Sequence, residues 1–220
     1  MKILTISDRI EPLIYSPAIK RHFGDVDLVL GCGDLPYYYL EFIATMLDRP
    51  VFYVIGNHAD EVKKRYASPA EWEYPGGCQN IDGRMVRYKG LLIAGLEGSI
   101  RYNNEPHYQY TEQEMVRKIW RLVPALLLNK FLAGRYLDIL IAHAPPQGIH
   151  DQPDRCHQGF QAFRMFMDRF RPRYLVHGHV HACHADEVTE TIYRTTRVIN
   201  TYGYRVLTID EGAVNLKRTR

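Results

Sequence analysis

Five short motifs in this chain combine the residue types that proteins use to bind divalent metal ions. Together they supply two carboxylates, one amide and four imidazoles. This mixture of oxygen and nitrogen donors suits a borderline ion such as Mn²⁺, Fe²⁺ or Zn²⁺. The pattern therefore indicates a metal site assembled from distant parts of the chain. In chain order the motifs are Ser7-Asp8, Gly33-Asp34, Gly56-Asn57-His58, His143-Ala144-Pro145-Pro146 and Gly178-His179-Val180-His181.

The motifs fall where hydrophobic runs end. Asp8, Asp34, Asn57 and His143 each lie at or just past the C-terminal end of an apolar run. The strands of an open α/β sheet end together at one edge, and ligands bind there because the following loops diverge. We therefore expect these four side chains to converge. The two histidines of the last motif, at i and i+2, let one loop reach two ions.

The order of elements predicts a layered α/β architecture. Three helices are predicted, at Tyr37–Leu47, Glu112–Asn129 and Gly159–Arg169, and Pro124 is expected to kink or split the second. No shift in composition marks a boundary, so residues 1–220 are expected to form a single domain. The predicted strands are Ile3–Ile6, Leu28–Leu30, Val51–Ile55, Arg84–Tyr88, Leu91–Ala94, Ile139–Ala142, Tyr174–His177, Arg197–Ile199 and Arg205–Ile209.

Charge and hydropathy narrow the class of protein. The net charge is +3 with acids and bases interspersed, which gives no strong signal for nucleic acid or for a membrane surface. The N-terminus reaches a charged residue before any secretory h-region, and no apolar run is long enough to span a membrane. We therefore expect a cytoplasmic protein. Its cysteines show no C-x-x-C spacing and are predicted to be free thiols, at Cys32, Cys78, Cys156 and Cys183.

The ordered set of motifs resembles that of the calcineurin-like metallophosphoesterase family, from Ser7 to about Asn200. The resemblance implies a layered α/β/β/α sandwich of the metallo-dependent phosphatase type, with two facing mixed β-sheets and helices outside. It also implies a centre of two divalent ions. Mn²⁺ or Fe²⁺ is expected there, with Zn²⁺ as a further option.

The resemblance assigns a role to each motif residue. Asp34 would bridge the two ions, and His58 would be the catalytic imidazole. The second ion would be held by Asp34, Asn57, His143 and His179, and the first by Asp8, Asp34 and His181.

One position departs from the family pattern. The family reads Asp-x-His at the first motif, whereas this chain reads Asp8-Arg9-Ile10. Loss of a hydrogen-bonding partner behind a ligand already weakens metal binding by roughly 10–100-fold. A missing ligand therefore predicts that the first site is weak or empty. Glu11 could supply a substitute carboxylate and Arg9 could add positive charge, and the sequence favours neither.

The implied reaction is hydrolysis of a phosphate ester, in which a metal-bound hydroxide attacks phosphorus and His58 protonates the leaving oxygen. No G-x-S-x-G, Walker A or thiol-phosphatase motif indicates another mechanism. The expected partner is a small phosphorylated substrate, with Arg101 as a candidate phosphate contact. A surface arginine on a polar loop is the alternative reading of that residue. Monoester or diester specificity and the oligomeric state stay open.

Two other functions remain open at this point. Ile10 fits a catalytically impaired family member that serves as a metal-binding scaffold or interaction protein, whereas the presence of His58 argues for an enzyme. The second alternative is peripheral membrane attachment through the helix that contains Trp120, Leu122 and Leu126–Leu128. Core packing would explain those apolar side chains equally well.

Overall fold

A computed structural model describes residues 1–58, 74–104, 107–182, 184 and 186–209. These residues form two facing mixed β-sheets with helices on their outer faces. The predicted fold class, a layered sandwich with two mixed sheets, is confirmed.

The first sheet has five strands in the order β13-β1-β2-β3-β4. Strands β1 to β4 run parallel, and β13 pairs antiparallel with β1 at the edge. Nearly every residue of β1, β2 and β3 is buried, and most of these residues are apolar, as expected for strands covered on both faces. The bounds are β1 Lys2–Ser7, β2 Leu28–Cys32, β3 Val51–Val54, β4 Cys78–Asn80 and β13 Gly203–Thr208.

The second sheet has six strands in the order β11-β12-β10-β9-β6-β5. Its four central strands are parallel, and β5 and β11 pair antiparallel at the two edges. A separate pair of short strands, β7 and β8, lies in the loop after β6. The bounds are β5 Met85–Tyr88, β6 Leu91–Leu96, β7 Ser99–Ile100, β8 Gln109–Tyr110, β9 Ile139–Ala142, β10 Tyr174–His177, β11 Glu190–Tyr193 and β12 Thr196–Asn200.

Four described helices cover the outer faces: α1 Ile19–Phe23, α2 Tyr37–Leu47, α3 Glu112–Ala133 and α4 Gln161–Phe170. Helices α1 and α2 pack on the first sheet, and α3 and α4 pack on the second. A third apolar cluster, which includes Leu30, Val54 and Ile141, fills the space between the sheets. The three clusters fill the spaces between four layers: helices, first sheet, second sheet and helices. In this packing the C-terminal ends of the parallel strands of both sheets lie at the same edge.

The predicted split of the long helix at Pro124 is wrong, because α3 runs unbroken from Glu112 to Ala133. The alternative prediction, a kink at Pro124, stays a prediction. Both halves of the helix are anchored on the second sheet, by Ile119 and Leu122 before the proline and by Leu126 after it. A capping box at Thr111 and Glu114 fixes the first turn. This packing offsets the backbone hydrogen bond that a proline removes.

The apolar residues of α3 divide into two faces. Leu122 and Leu126 are buried in the core, as core packing predicted. A second row points outward, in which Trp120 is 67% and Phe131 is 86% exposed. We call this row the outer apolar stripe, and it consists of Trp120, Leu127, Leu128, Phe131 and Leu132. Among the described residues, no helix is both long and apolar enough to cross a bilayer.

Two neighbouring histidines are held neutral beside the second sheet. Nδ1 of the buried His177 donates to the Gly178 carbonyl at 2.9 Å, so its Nε2 accepts from His150 Nδ1 at 3.0 Å. The Thr191 hydroxyl then donates to His150 Nε2 at 2.9 Å. Burial lowers the pKa of His150, and burial together with His150 lowers the pKa of His177 to about 3.

This pair predicts a loss of stability in mild acid. The folded pKa values lie below the unfolded value, so the unfolded chain gains more protons than the folded chain as the pH falls below about 6.5. The free energy of unfolding should therefore fall between pH 7 and pH 5, and His150→Gln should make this fall smaller. Urea unfolding in chelator at both pH values would measure it. An unchanged slope in His150→Gln, with the exposed His22→Ala as control, would contradict the assignment.

Candidate metal centre

The predicted ligands come from the same edge of both sheets. Asp8 follows β1, Asp34 follows β2 and Asn57 follows β3 in the first sheet. His143 follows β9 directly, and His179 follows β10 after one glycine, in the second sheet. The carboxylates and the amide therefore come from one sheet and the imidazoles from the other.

Three side chains of this set meet around a fourth, His143, which is fully buried. His143 Nε2 lies 2.9 Å from Asn57 Oδ1 and 3.2 Å from Asp34 Oδ2. The ring centroids of His143 and His179 are 4.8 Å apart. Donor atoms of Asp34, His143 and His179 all lie within 4.8 Å of one another, close enough to share one ion. The structure thus brings together the ligands expected for the second ion.

Backbone carbonyls fix both imidazoles in the orientation that a metal ligand needs. His143 Nδ1 donates to the Cys32 carbonyl at 2.8 Å, which leaves Nε2 for the pocket. His179 Nε2 donates to the Cys156 carbonyl at 2.8 Å, which leaves the lone pair of Nδ1 free to bind. Metal-binding histidines characteristically donate their second N–H in this way. The donor set therefore fits a divalent ion.

The charges of the site also favour a cation. Burial opposes ionisation of Asp34, but His143 and His58 lower the pKa of this carboxyl to about 2. Burial likewise opposes the charged form of His143, yet Asp34 and Asp8 raise its pKa to about 9. Burial and the neighbouring His143 lower the pKa of His179 to about 3. Without a metal, a proton on His143 supplies the positive charge that these carboxylates attract.

Two glycines let the motif loops approach one another. A Cβ atom at Gly56 would overlap the Asp34 carboxylate, and one at Gly178 would overlap Ser7 and Asp8. Asp34 itself has φ 55° and His179 has φ 68°, a region that residues other than glycine seldom adopt. Such backbone strain is typical of functional sites held in place by the surrounding fold.

The residues expected to hold the first ion are less closely assembled than those expected to hold the second. Both carboxylate oxygens of Asp8 accept from the His179 backbone N–H, at 3.1 and 3.0 Å. His181 is exposed, and its ring stacks on Tyr202 with the centroids 4.7 Å apart. Ile10 packs against the apolar cluster beneath α2. Within the described part of the chain, Asp8 and His181 do not join the ligand group of Asp34, His143 and His179.

The two residues considered as substitutes at the first site are bound to each other. Arg9 Nε lies 3.2 Å from Glu11 Oε1. The Glu11 backbone N–H donates to the Tyr39 hydroxyl at 3.3 Å. The charge of Glu11 is therefore balanced by Arg9 rather than directed at a cation.

His58 lies at the margin of the ligand set. Its backbone N–H donates to Asp34 Oδ1 at 2.9 Å, so its position is tied to the central carboxylate. Its side chain is partly exposed. The Tyr102 hydroxyl accepts from Asn57 Nδ2 at 3.2 Å, a contact that the polar sequence around this tyrosine does not indicate.

Arg101 is held at a different place by its own contacts. Its guanidinium pairs with Glu114 at 3.0 Å and donates to the Gln109 carbonyl at 3.2 Å. None of the described contacts of Arg101 involves the ligand set. A phosphate would have to compete with Glu114 for this side chain.

Comparison with known proteins agrees with this architecture. A protein of Methanocaldococcus jannaschii, described as uncharacterized protein MJ1162, is 24% identical over 204 residues, which cover 87% of this chain and 86% of the relative. The crystal structure of TT1561 of Thermus thermophilus is 18% identical and superimposes with a TM-score of 0.61, covering 98% of this chain and 96% of that one. GAP50, the anchor in the inner membrane complex of Plasmodium, is 10% identical with a TM-score of 0.53, covering 92% of this chain and 71% of that one.

Two mixed sheets between helices, with candidate metal ligands where the strands end, are the arrangement of the metal-dependent phosphoesterase class. The model of the calcineurin-like phosphoesterases matches residues 1–183. The chain therefore belongs to the calcineurin-like phosphoesterase family, as the motifs predicted.

Proposed function

We propose that this protein hydrolyses the phosphate ester of a small cytoplasmic substrate, a monoester or diester, with Mn²⁺ or Fe²⁺ bound at the described edge. The observation that carries the proposal is the convergence of Asp34, Asn57, His143 and His179, in which each imidazole is oriented by a backbone carbonyl. A turn or a core histidine would need no such arrangement. Carboxylate, amide and imidazole donors together suit these ions.

The bound ions would polarise a phosphoryl oxygen and lower the pKa of a bound water. Asp34 and Asn57 would hold the ions from the first sheet, and His143 and His179 from the second. His58 lies beside this set and is exposed enough to meet a substrate, so it would donate a proton to the leaving oxygen. Asp8 would contribute to the first ion with Asp34 and His181.

The test of this function is hydrolysis of a generic phosphodiester and a generic phosphomonoester after the protein has been stripped with chelator. Turnover should return with Mn²⁺ or Fe²⁺ and should be absent with chelator alone. An absence of turnover with Mn²⁺, Fe²⁺ and Zn²⁺ would refute the enzymatic proposal.

The first ion should be weakly held, and Ile10→His should strengthen it. Asp8 and His181 have other contacts in the structure. An imidazole at position 10 would add a further ligand for the first ion. We expect about one tightly bound Mn²⁺ in the natural protein and a second in Ile10→His, with at least tenfold tighter binding of the second ion. Metal content after gel filtration would measure both. Equal occupancy in the two proteins would contradict a weak first site.

That experiment needs a matched control, because Ile10 also packs against a core cluster. Ile10→Asn removes the same apolar contact while adding no imidazole. It should lower thermal stability by a similar amount without raising the metal content.

A scaffold function is the second candidate. The observation that favours it is the incomplete first site, at which Ile10 replaces a ligand and His181 is stacked on Tyr202. A scaffold would bind a metal at Asp34 and His143 yet give no metal-dependent turnover. The same hydrolysis assay, combined with metal content, therefore separates the two functions.

A further inference from the structure

A second group of metal-binding side chains lies outside the set used above. It consists of Asp154, Cys156 and His157, in the loop between β9 and α4. One donor atom from each side chain lies within 4.8 Å of the other two. The proposed hydrolysis uses none of these three side chains.

The loop itself holds these donors together. Asp154 Oδ1 accepts the backbone N–H of Cys156 at 3.0 Å and that of His157 at 3.2 Å. His157 Nδ1 lies 3.0 Å from both Asp154 oxygens. The Asp154 carboxylate thus fixes the turn that follows it, and this turn carries the Cys156 thiol and the His157 imidazole.

This group adjoins the candidate metal centre without sharing its ligands. The Cys156 carbonyl accepts from His179 Nε2, while the Cys156 thiol belongs to the second group. The rings of His157 and His179 are 5.2 Å apart. Since Asp154 is exposed and Cys156 and His157 are half-buried, an ion can reach the group from solvent.

The donor types determine which ion fits. A thiolate, an imidazole and a carboxylate form a set that prefers Zn²⁺, and three protein ligands leave a fourth position open. The set around Asp34 contains no sulfur and suits Mn²⁺ or Fe²⁺ as well. We propose that Asp154, Cys156 and His157 bind a separate zinc-class ion at the margin of the candidate centre. This inference does not rest on the proposed hydrolysis.

Cobalt titration of the whole, chelator-stripped and reduced protein tests the proposal. A thiolate ligand gives bound Co²⁺ a charge-transfer absorption in the near ultraviolet, which oxygen and nitrogen ligands do not give. We expect this band to rise to a plateau as Co²⁺ is added and to disappear when excess Zn²⁺ is added. Cys156→Ser should abolish it, and His157→Gln should weaken cobalt binding at least tenfold.

Three controls make the outcome specific. Cys78→Ser removes another free thiol and should keep the band. Asp34→Asn damages the other centre and should also keep it, so failure of this site and failure of the hydrolase are distinguishable. Circular dichroism confirms that each variant is folded. No band in the natural protein, or a band that persists in folded Cys156→Ser, would overturn the proposal.

The outer apolar stripe carries a second, independent inference. The solvent face of α3 carries apolar side chains at helical spacing, namely Trp120, Leu127, Leu128 and Phe131. Met165 of α4 is exposed beside this helix. A groove of about 450 Å³ between the two helices is lined almost entirely by apolar side chains. Contiguous apolar surface of this kind marks an interaction site.

The charges beside the stripe indicate what covers it. From Met115 to Ala133 the helix has four basic residues and no acidic residue, and Arg169 lies at the groove. Lys118 is paired with Asp82 and Glu97, which leaves Arg117, Arg121 and Lys130 for an outside partner. Two copies packed face to face would bring these cations together. Exposed tryptophan and phenylalanine flanked by arginine and lysine are typical of helices that lie in an anionic bilayer surface. We propose that α3 binds the surface of an anionic membrane.

Vesicle flotation tests this second proposal. The protein should float with vesicles that contain phosphatidylglycerol and should be released by high salt, whereas neutral phosphatidylcholine vesicles should bind at least tenfold less. Trp120→Ser with Phe131→Ser should abolish flotation, and Ile192→Ser, an exposed apolar residue on β11, should not. No flotation, flotation by the double variant, or a stripe-dependent dimer in light scattering would overturn it.

Discussion

Replacing Asp34 with asparagine is expected to remove metal binding and with it the proposed hydrolytic activity. Asp34 is the carboxylate nearest His143, and its negative charge balances the imidazoles around it. The substitution keeps the size of the side chain and removes the charge. Metal affinity should fall at least about 100-fold, and kcat/KM at a fixed metal concentration should fall about 10²–10³-fold or more. Metal content and turnover would be measured on the same preparation.

Asp48→Asn is the matched control for this experiment. Asp48 has φ 51°, close to the 55° of Asp34, but it is exposed at the end of α2. The same chemical change there should leave metal content and turnover unaltered. Full metal occupancy in Asp34→Asn would contradict the central role given to this carboxylate.

His58→Ala is expected to keep the metal and to lose activity, whereas Asp34→Asn should lose both. The residue is tied to Asp34 through its backbone N–H, which alanine keeps, so the ligand set should stay in place. Loss of a general acid commonly lowers kcat about 10²–10⁴-fold. Metal content and kcat together would show whether binding and catalysis separate in this way.

Comparing esters with different leaving groups tests whether His58 acts as the proton donor. A nitrophenolate leaves without a proton, whereas an alkoxide needs one, so His58→Ala should lose far more activity on alkyl esters than on nitrophenyl esters. The exposed His22→Ala serves as control and should behave as the natural protein on both. An equal loss on both esters would assign His58 to binding rather than to proton transfer.

Much of the fold can be predicted from the sequence because the central strands are continuous apolar runs. The helix Tyr37–Leu47 and the strands Ile139–Ala142 and Tyr174–His177 are confirmed with their predicted bounds. The elements that were missed are short or at an edge. Helix α1 has five residues, and β11 alternates exposed and half-buried positions at the side of its sheet. Such segments have little periodicity to detect.

For the candidate site, the sequence predicts the positions of the residues but not the orientations of their side chains. Residues that follow strands could be placed at one edge in advance, since sheet geometry brings strand ends together. The orientation of the two imidazoles, His143 and His179, could not be predicted. It depends on the carbonyls of Cys32 and Cys156, and a backbone carbonyl has no sequence signature. The stacking of His181 on Tyr202 depends likewise on the approach of two distant loops. Single-domain organisation and the individual roles of the site residues stay predictions.

The division of the ligand set between the two sheets has a consequence for the order of folding. A nascent chain presents Asp8, Asp34 and Asn57 long before His143 and His179 are made, and β13, from the end of the chain, completes the first sheet. Neither half alone offers the mixed donors that hold an ion tightly, and an ion binds the docked halves far better than the unfolded chain. Capture of the proposed ion would therefore come late in folding, and the bound ion would tie the two sheets together.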